Sequence, residues 1–352
     1  MNARFAAVPL SLLAAVAIVE AGLAINGRFN YLVASMAADA DAIWALPTGT
    51  RLSVPHPDLK VTIEERLDDQ GVRNHAPVPT ARKSNIIGVF GDSFTENRYL
   101  DDQFTLTTLL DGTTEPQARV VNYGVSGYGV DQAYLRYKKF EDHDIRHVVY
   151  LFCANDLRNL SETRLAHVVG DDVVFRAPEA TLASTTRRAL GRLRLTYLVL
   201  WVYARYAGST AASDLVRPDT RPRLVETRSP DADLDATQWE HVFKVVVQKW
   251  QREVIARGRT FTVLVLPFDQ HTALARTLFQ DFTGSVLYLQ PRFGTPGPIQ
   301  FANDGHWNEY GNLKAAEIVA GVGWLPFHDA IVRPEFLQGV KARIDDYYRA
   351  HR

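Results

Sequence analysis

The chain has 352 residues, enough to bury a substantial core, and its 46% apolar and 22% charged composition excludes a disordered or fibrous protein. A formal net charge of −1 provides no global positive field, so no nucleic-acid partner is expected. The single cysteine, Cys153, excludes an intrachain disulfide framework and any cysteine-based zinc cluster.

The first element predicted is apolar. Between Arg4 and Arg28 the run Phe5 to Ile25 is interrupted only by Pro9, Ser11 and Glu20. That is close to the ~20 residues a helix needs to span a bilayer. A retained anchor, a signal peptide cut after small residues such as Gly22 and Ala24, and a buried core helix all fit this pattern. The anchor is the expectation carried forward, with Glu20 near the distal end, where a polar group is tolerated, and the body of the protein outside the cytoplasm.

From about Asn30 to Lys83 the order is irregular, punctuated by Pro47, Pro55, Pro57, Pro77 and Pro79, with a strand-like alternation only over Leu59 to Ile63. Asn85 to Phe90 is then a continuous apolar run ending at Gly91, the pattern of a parallel strand buried on both faces. A helix is predicted through Phe104 to Leu110, a second strand over Arg119 to Tyr123, and a helix over Gln132 to Phe140. His147 to Phe152 is a third strand. A helix around Trp239 to Ala256 leads into a fourth strand, Phe261 to Pro267, and the last long helix starts near Tyr310. Between Leu160 and Asp235 the alternation lapses. There Arg187 to Tyr206 looks helical, either packed on the sheet or capping the site, or else forming a membrane-facing or acyl-chain-binding lid, and a loop with Pro218, Pro222 and Pro230 follows.

Strands alternating with helices imply a parallel sheet covered on both faces, with ligands beyond the carboxyl ends of the strands. Four polar clusters fall at such ends. Gly91-Asp92-Ser93-Phe94 places a serine directly after a strand, where local N–H groups favour developing negative charge; a turn or N-cap serine explains it as well. In Asn122 to Gly129, Gly124, Gly127 and Gly129 permit close backbone approach, or simply a tight turn. Cys153-Ala154-Asn155-Asp156 offers an asparagine amide that can donate to an oxyanion, or a helix cap. Asp304-Gly305-His306 offers a histidine able to take a serine proton and a carboxylate near enough to orient its ring. Of the other histidines, His271 is the least improbable participant, and Cys153 reads as a small buried residue.

Taken together and in this order, the four clusters resemble the SGNH, or GDSL, hydrolase superfamily, over roughly Asn85 to Gly321. The segment Val61 to Asn74 is similar to the lead-in of bacterial, N-terminally anchored members. The resemblance implies a flavodoxin-like three-layer α/β/α fold with a central parallel sheet, preceded here by the N-terminal hydrophobic helix. It implies Ser93 as nucleophile, His306 as general base and then acid, Asp304 as the orienting carboxylate, and an oxyanion hole of the Ser93 and Gly127 N–H groups with the Asn155 side chain. The implied activity is serine-ester hydrolysis without cofactor or metal, acting on a small-molecule or glycan ester. An O-acetyltransferase acting on a cell-surface polysaccharide and a non-catalytic glycan-binding protein are the alternatives. The expected location is the bacterial inner membrane, single-pass with the catalytic domain extracytoplasmic, or, if the N-terminal segment is a cleaved signal, a secreted or periplasmic one. Two departures stand out. Cys153 replaces the usual glycine of the asparagine block, and Asp304-x-His306 is one residue shorter than the commoner Asp-x-x-His, with Asn303 at the longer spacing. The expected organisation is an anchor or signal over 1–28, a lead-in over 29–84 packed on the catalytic domain, and a catalytic domain over 85–352 with an insertion at about 160–235.

Overall fold

The computed structural model describes residues 3–26, 33–35, 37–73, 85–114, 118–177, 190, 193–207, 235–290, 299–302, 304–322 and 335–352. The chain divides into two compact units, one of residues 1–38 and 179–226, the other of residues 39–178 and 227–352.

In the first unit, α1 (Ala3–Asn26) confirms the predicted N-terminal helix as a helix. The membrane-spanning part of the expectation is not supported, because among the described residues no helix is long and apolar enough to cross a membrane. Glu20 accepts a hydrogen bond from the Leu195 N–H at 2.6 Å and lies 3.6 Å from Arg194. These two residues open the helix Arg194–Ala207, so the carboxylate sits at the positive end of that helix. The helical reading thus holds from Arg194. Arg187, Arg188, Arg192 and the loop prolines Pro218, Pro222 and Pro230 lie outside the described residues.

In the second unit the lead-in is more regular than its prolines suggested. Strand β1 (Ala37–Asp39) ends on the first residue of this unit, and β2 (Ile43–Ala45) lies within it. They are followed by an antiparallel hairpin of β3 (Arg51–Pro55) and β4 (Thr62–Arg66), whose Leu52, Val54, Ile63 and Glu65 point inward. The strand expected at Leu59 to Ile63 therefore begins later, at Thr62.

The central sheet contains β5 (Asn85–Gly91), β6 (Ala118–Asn122), β7 (Ile145–Phe152), β10 (Thr260–Val265) and β11 (Ser285–Tyr288). Between β7 and β10 the chain forms the antiparallel hairpin of β8 (Ala166–Val169) and β9 (Asp172–Phe175), at the start of the segment expected to be an insertion. All pairings in the central sheet are parallel, in the order β11-β10-β7-β5-β6. Numbered along the chain this is 2-1-3-4-5, the flavodoxin-like arrangement, with its switch point between β5 and β7.

Alternate strand residues feed two cores. Phe90, Tyr150, Phe152, Phe261 and Val263 pack under the helices Val130–Lys139 and Ala236–Ala256, together with Trp239, Phe243 and Trp250. Ile87, Val89, Val149, Leu151 and Leu264 pack under Leu106–Thr114 and Glu309–Gly321. Burial on both faces explains why the three inner strands read as continuous apolar runs. The helix expected to be last is followed by another, Val340–His351, whose buried Val340 and Ile344 complete the second core.

Candidate active site

The loops after β5, β6 and β7 leave the sheet at the same end, around its switch point. β5 runs directly into a single helical turn, Ser93–Glu96, capped by the Asp92 carboxylate, which accepts the Phe94 N–H at 2.9 Å. Ser93 is thereby the first helical residue, its N–H having no intrahelical acceptor.

The loop after β6 packs against that turn. A Cβ on Gly124 would lie 2.5 Å from the Glu96 nitrogen and 2.7 Å from the Thr95 carbonyl carbon, so only glycine permits the approach. Glu96 then accepts a hydrogen bond from the Ser126 N–H. Gly127 follows at φ +76°, in the left-handed region glycine favours, and is half-buried. After β7, Asn155 opens the helix Asn155–Thr163, and its Nδ2 donates to Asp92 Oδ2 at 2.9 Å. Asp92 therefore joins the first loop to the third. Burial, the largest influence, pushes its carboxyl above the ordinary range despite the donors around it.

His306 arrives from the other end of the chain. Its carbonyl accepts the Phe301 N–H at 3.1 Å, and two residues later Asn308 caps the helix Glu309–Gly321 through the Gly311 N–H at 3.1 Å. Between these fixed points, His306 Nε2 lies 2.7 Å from Ser93 Oγ, and Nδ1 hydrogen-bonds Asp304 Oδ1. Ser93 and His306 are only 6% and 8% exposed, so the line is shielded from bulk water. Burial would raise the Asp304 carboxyl, but the hydrogen bond and charge of His306, its backbone N–H and the charge of Arg98 together hold it below the usual carboxylate range. The rings of Phe94 and Tyr99 flank His306 at centroid distances of 4.9 and 5.8 Å.

Ser93, His306 and Asp304 are thus brought together, with Asn155 joined to the same cluster through Asp92 and Gly127 held beside it by the contacts of its loop with Glu96. Asn303, at the longer acid spacing, lies outside the described residues. His271 is buried and packs edge-on against Phe94 and Phe268; burial pushes it down to about 4. Cys153 is buried, and burial raises its thiol well above the ordinary value. Among the described residues no cluster of three or more His, Cys, Asp or Glu side chains could hold a metal ion.

No protein-family model matches the chain, and no curated protein matches it by sequence. Among solved structures, a G-D-S-L family protein from Desulfitobacterium hafniense DCB-2 is similar at 11% identity and a TM-score of 0.38, over 68% of this chain and 99% of its own. AlinE4, an SGNH-hydrolase family esterase, is similar at 13% identity and a TM-score of 0.35, over 70% of this chain and 100% of its own. Both neighbours are SGNH/GDSL proteins. The geometry of the site, rather than these low-identity likenesses, carries the functional reading.

Several site residues had no sequence signal of their own. Arg73 donates to the carbonyls of Glu96, Asn97 and Leu100, at 3.0, 2.6 and 2.6 Å, and to Asp102, tying the lead-in to the chain after Ser93. Trp44 Nε1 donates to the Ser126 carbonyl at 3.3 Å. Only the partners, distant in sequence, distinguish these residues from surface charge and core packing.

Proposed function

We propose that the chain is a serine esterase of the SGNH/GDSL type, cleaving carboxylic esters through an acyl-serine. The observation that carries this reading is the hydrogen-bonded line from Ser93 Oγ through His306 to Asp304, with its 2.7 Å first step. In that arrangement His306 Nε2 takes the hydroxyl proton as Oγ attacks the ester carbonyl. Asp304 holds the ring and offsets the imidazolium charge. The carbonyl oxygen becomes an oxyanion, met by the N–H groups of Ser93 and Gly127 and the Asn155 amide. The imidazolium then protonates the departing alkoxide. Water, deprotonated by the same nitrogen, attacks the acyl-serine, and the imidazolium returns the proton to the departing Ser93 Oγ as the acid is freed.

The acyl group proposed is small, because Phe94 and Tyr99 crowd the histidine. The substrate class proposed is an O-acyl ester of a glycan or another alcohol. The test is steady-state turnover of p-nitrophenyl esters of increasing chain length by the full chain. Acetate should be cleaved faster than octanoate, and Ser93→Ala should abolish turnover. Cleavage unaffected by Ser93→Ala would overturn the proposal. If an added polysaccharide accelerates consumption and becomes acetylated, the acyl group goes to a sugar hydroxyl instead of water, and the protein is an acyltransferase.

A further inference from the structure

Four-residue turns such as the one that carries Gly127 come in two orientations of their central peptide, and here a distant side chain contacts that peptide. Tyr128 N–H donates to the Val125 carbonyl at 3.2 Å, closing a four-residue turn with Ser126 and Gly127 at its centre. Gly127 at φ +76° is the signature of a type II turn. Type I and type II turns differ chiefly by a flip of the central peptide, here the Ser126–Gly127 unit. Its carbonyl and its N–H point in opposite directions. Whatever fixes the Ser126 carbonyl therefore fixes the direction of the Gly127 N–H.

The partner of that carbonyl is the Trp44 indole, whose Nε1 lies 3.3 Å away. Trp44 and nearby Ala42 are themselves braced by the same loop and by the helix Val130–Lys139 that follows it. Tyr128 Oη donates to the Trp44 carbonyl at 2.6 Å, Gln132 Nε2 donates to the Ala42 carbonyl at 2.6 Å, and the Trp44 and Tyr128 rings meet edge to face at 5.8 Å. Between them Ile43, a buried β-branched residue, is held at φ +72°, a conformation that costs energy and persists only where its surroundings impose it. From the other side Glu96 holds the Ser126 N–H.

We infer that Trp44 is a positioning residue, a latch whose indole N–H keeps the Ser126–Gly127 peptide in the type II orientation and so aims the Gly127 N–H at the developing oxyanion. The inference rests on the proposed esterase reaction and assigns part of its specificity for the transition state to the lead-in strand. Trp44 touches no reacting atom.

The experiment compares the wild-type full chain with Trp44→Phe, and with benzothienylalanine placed at position 44, which keeps the indole shape but has no N–H. The readouts are p-nitrophenyl acetate kinetics and the amide resonance of Gly127 in glycine-labelled protein. The latch predicts that kcat falls about 10- to 100-fold, short of or equal to the loss of a whole oxyanion donor, while KM changes less than twofold. It also predicts a shifted Gly127 amide with the other glycine amides in place. An active wild type whose kcat and Gly127 amide are unchanged by benzothienylalanine would overturn the latch and leave the esterase reading standing. A well-folded wild type that is inert toward aryl esters would overturn both. Loss of folding in Trp44→Phe leaves the near-isosteric analogue to decide.

Discussion

Asp304 Oδ1 accepts two hydrogen bonds from one residue, His306: one from the ring Nδ1 and one from the backbone N–H at 2.9 Å. The two-residue spacing makes this possible, because an aspartate side chain bonding the N–H two residues on is an Asx turn. The shortened Asp-x-His therefore builds the orienting carboxylate and the base into one small rigid unit.

Asp304→Asn should keep the turn but weaken the hold on the Nδ1 proton, since an amide can present a donor where the carboxylate accepts. The expected loss in kcat is on the order of 10³-fold or more, with KM nearly unchanged. Initial-rate kinetics on an aryl acetate check this. A change confined to KM would assign Asp304 to binding.

Asp92 joins the cap of the serine turn to Asn155 and acts on the reaction through that amide. Asp92→Ala should cost about 1 kcal/mol of stability as a lost cap and roughly tenfold or more in kcat as a misplaced oxyanion donor. In an Asn155→Ala background the kinetic cost of Asp92→Ala should largely disappear, because the two changes remove the same donor. Fully additive effects would show that Asp92 works by another route.

Two glycines in the site make opposite predictions. At Gly124 an added Cβ meets backbone of the Ser93 turn, so Gly124→Ala should lose about 1–3 kcal/mol in urea unfolding, together with most activity. At Gly305 an added Cβ meets nothing within 4 Å, and Gly305→Ala should keep kcat within about twofold, although it lies between the acid and the base.

Glu65 offers a pH signature outside the line from Ser93 through His306 to Asp304. It is fully buried, neither carboxyl oxygen has a hydrogen-bond partner, and Arg73 lies at 3.9 Å. Burial, then the charge of Glu96, push its carboxyl up to about 8, against the pull of Arg73 and Arg98. Between an unfolded value of about 4.3 and that folded value, the folded chain binds the extra proton. Stability from this group is therefore complete at low pH and lost as pH rises through about 8. Melting temperatures from pH 5 to 9 should fall with pH in wild type and fall less in Glu65→Gln. Parallel curves would contradict this assignment.

The parts of the fold that could be read from sequence are those whose environment leaves a pattern along the chain. Strands β5, β7 and β10 are buried on both faces and so read as unbroken apolar runs. The edge strand β11 is four residues long, with Ser285 exposed and Leu287 alone buried, and leaves no such run. The β3–β4 hairpin was obscured by Pro55 at the end of its first strand and by inward-facing Glu65, a charge that reads as surface. At the site, Ser93, Asn155, Asp304 and His306 were legible because their chemistry falls at strand ends or before a helix. Trp44, Arg73 and Asp92 were not, because what each does depends on a partner about 20 to 80 residues away or more, as with Trp44 and Ser126.

The central claim is that Ser93 is a nucleophile activated by His306. The most direct measurement is intact-mass and peptide-level analysis of the full chain after treatment with a fluorophosphonate. A single adduct is predicted on the peptide containing Ser93, absent in Ser93→Ala and formed far more slowly in His306→Ala. No adduct on a folded wild type, or equal labelling of Ser93→Ala, would contradict the claim.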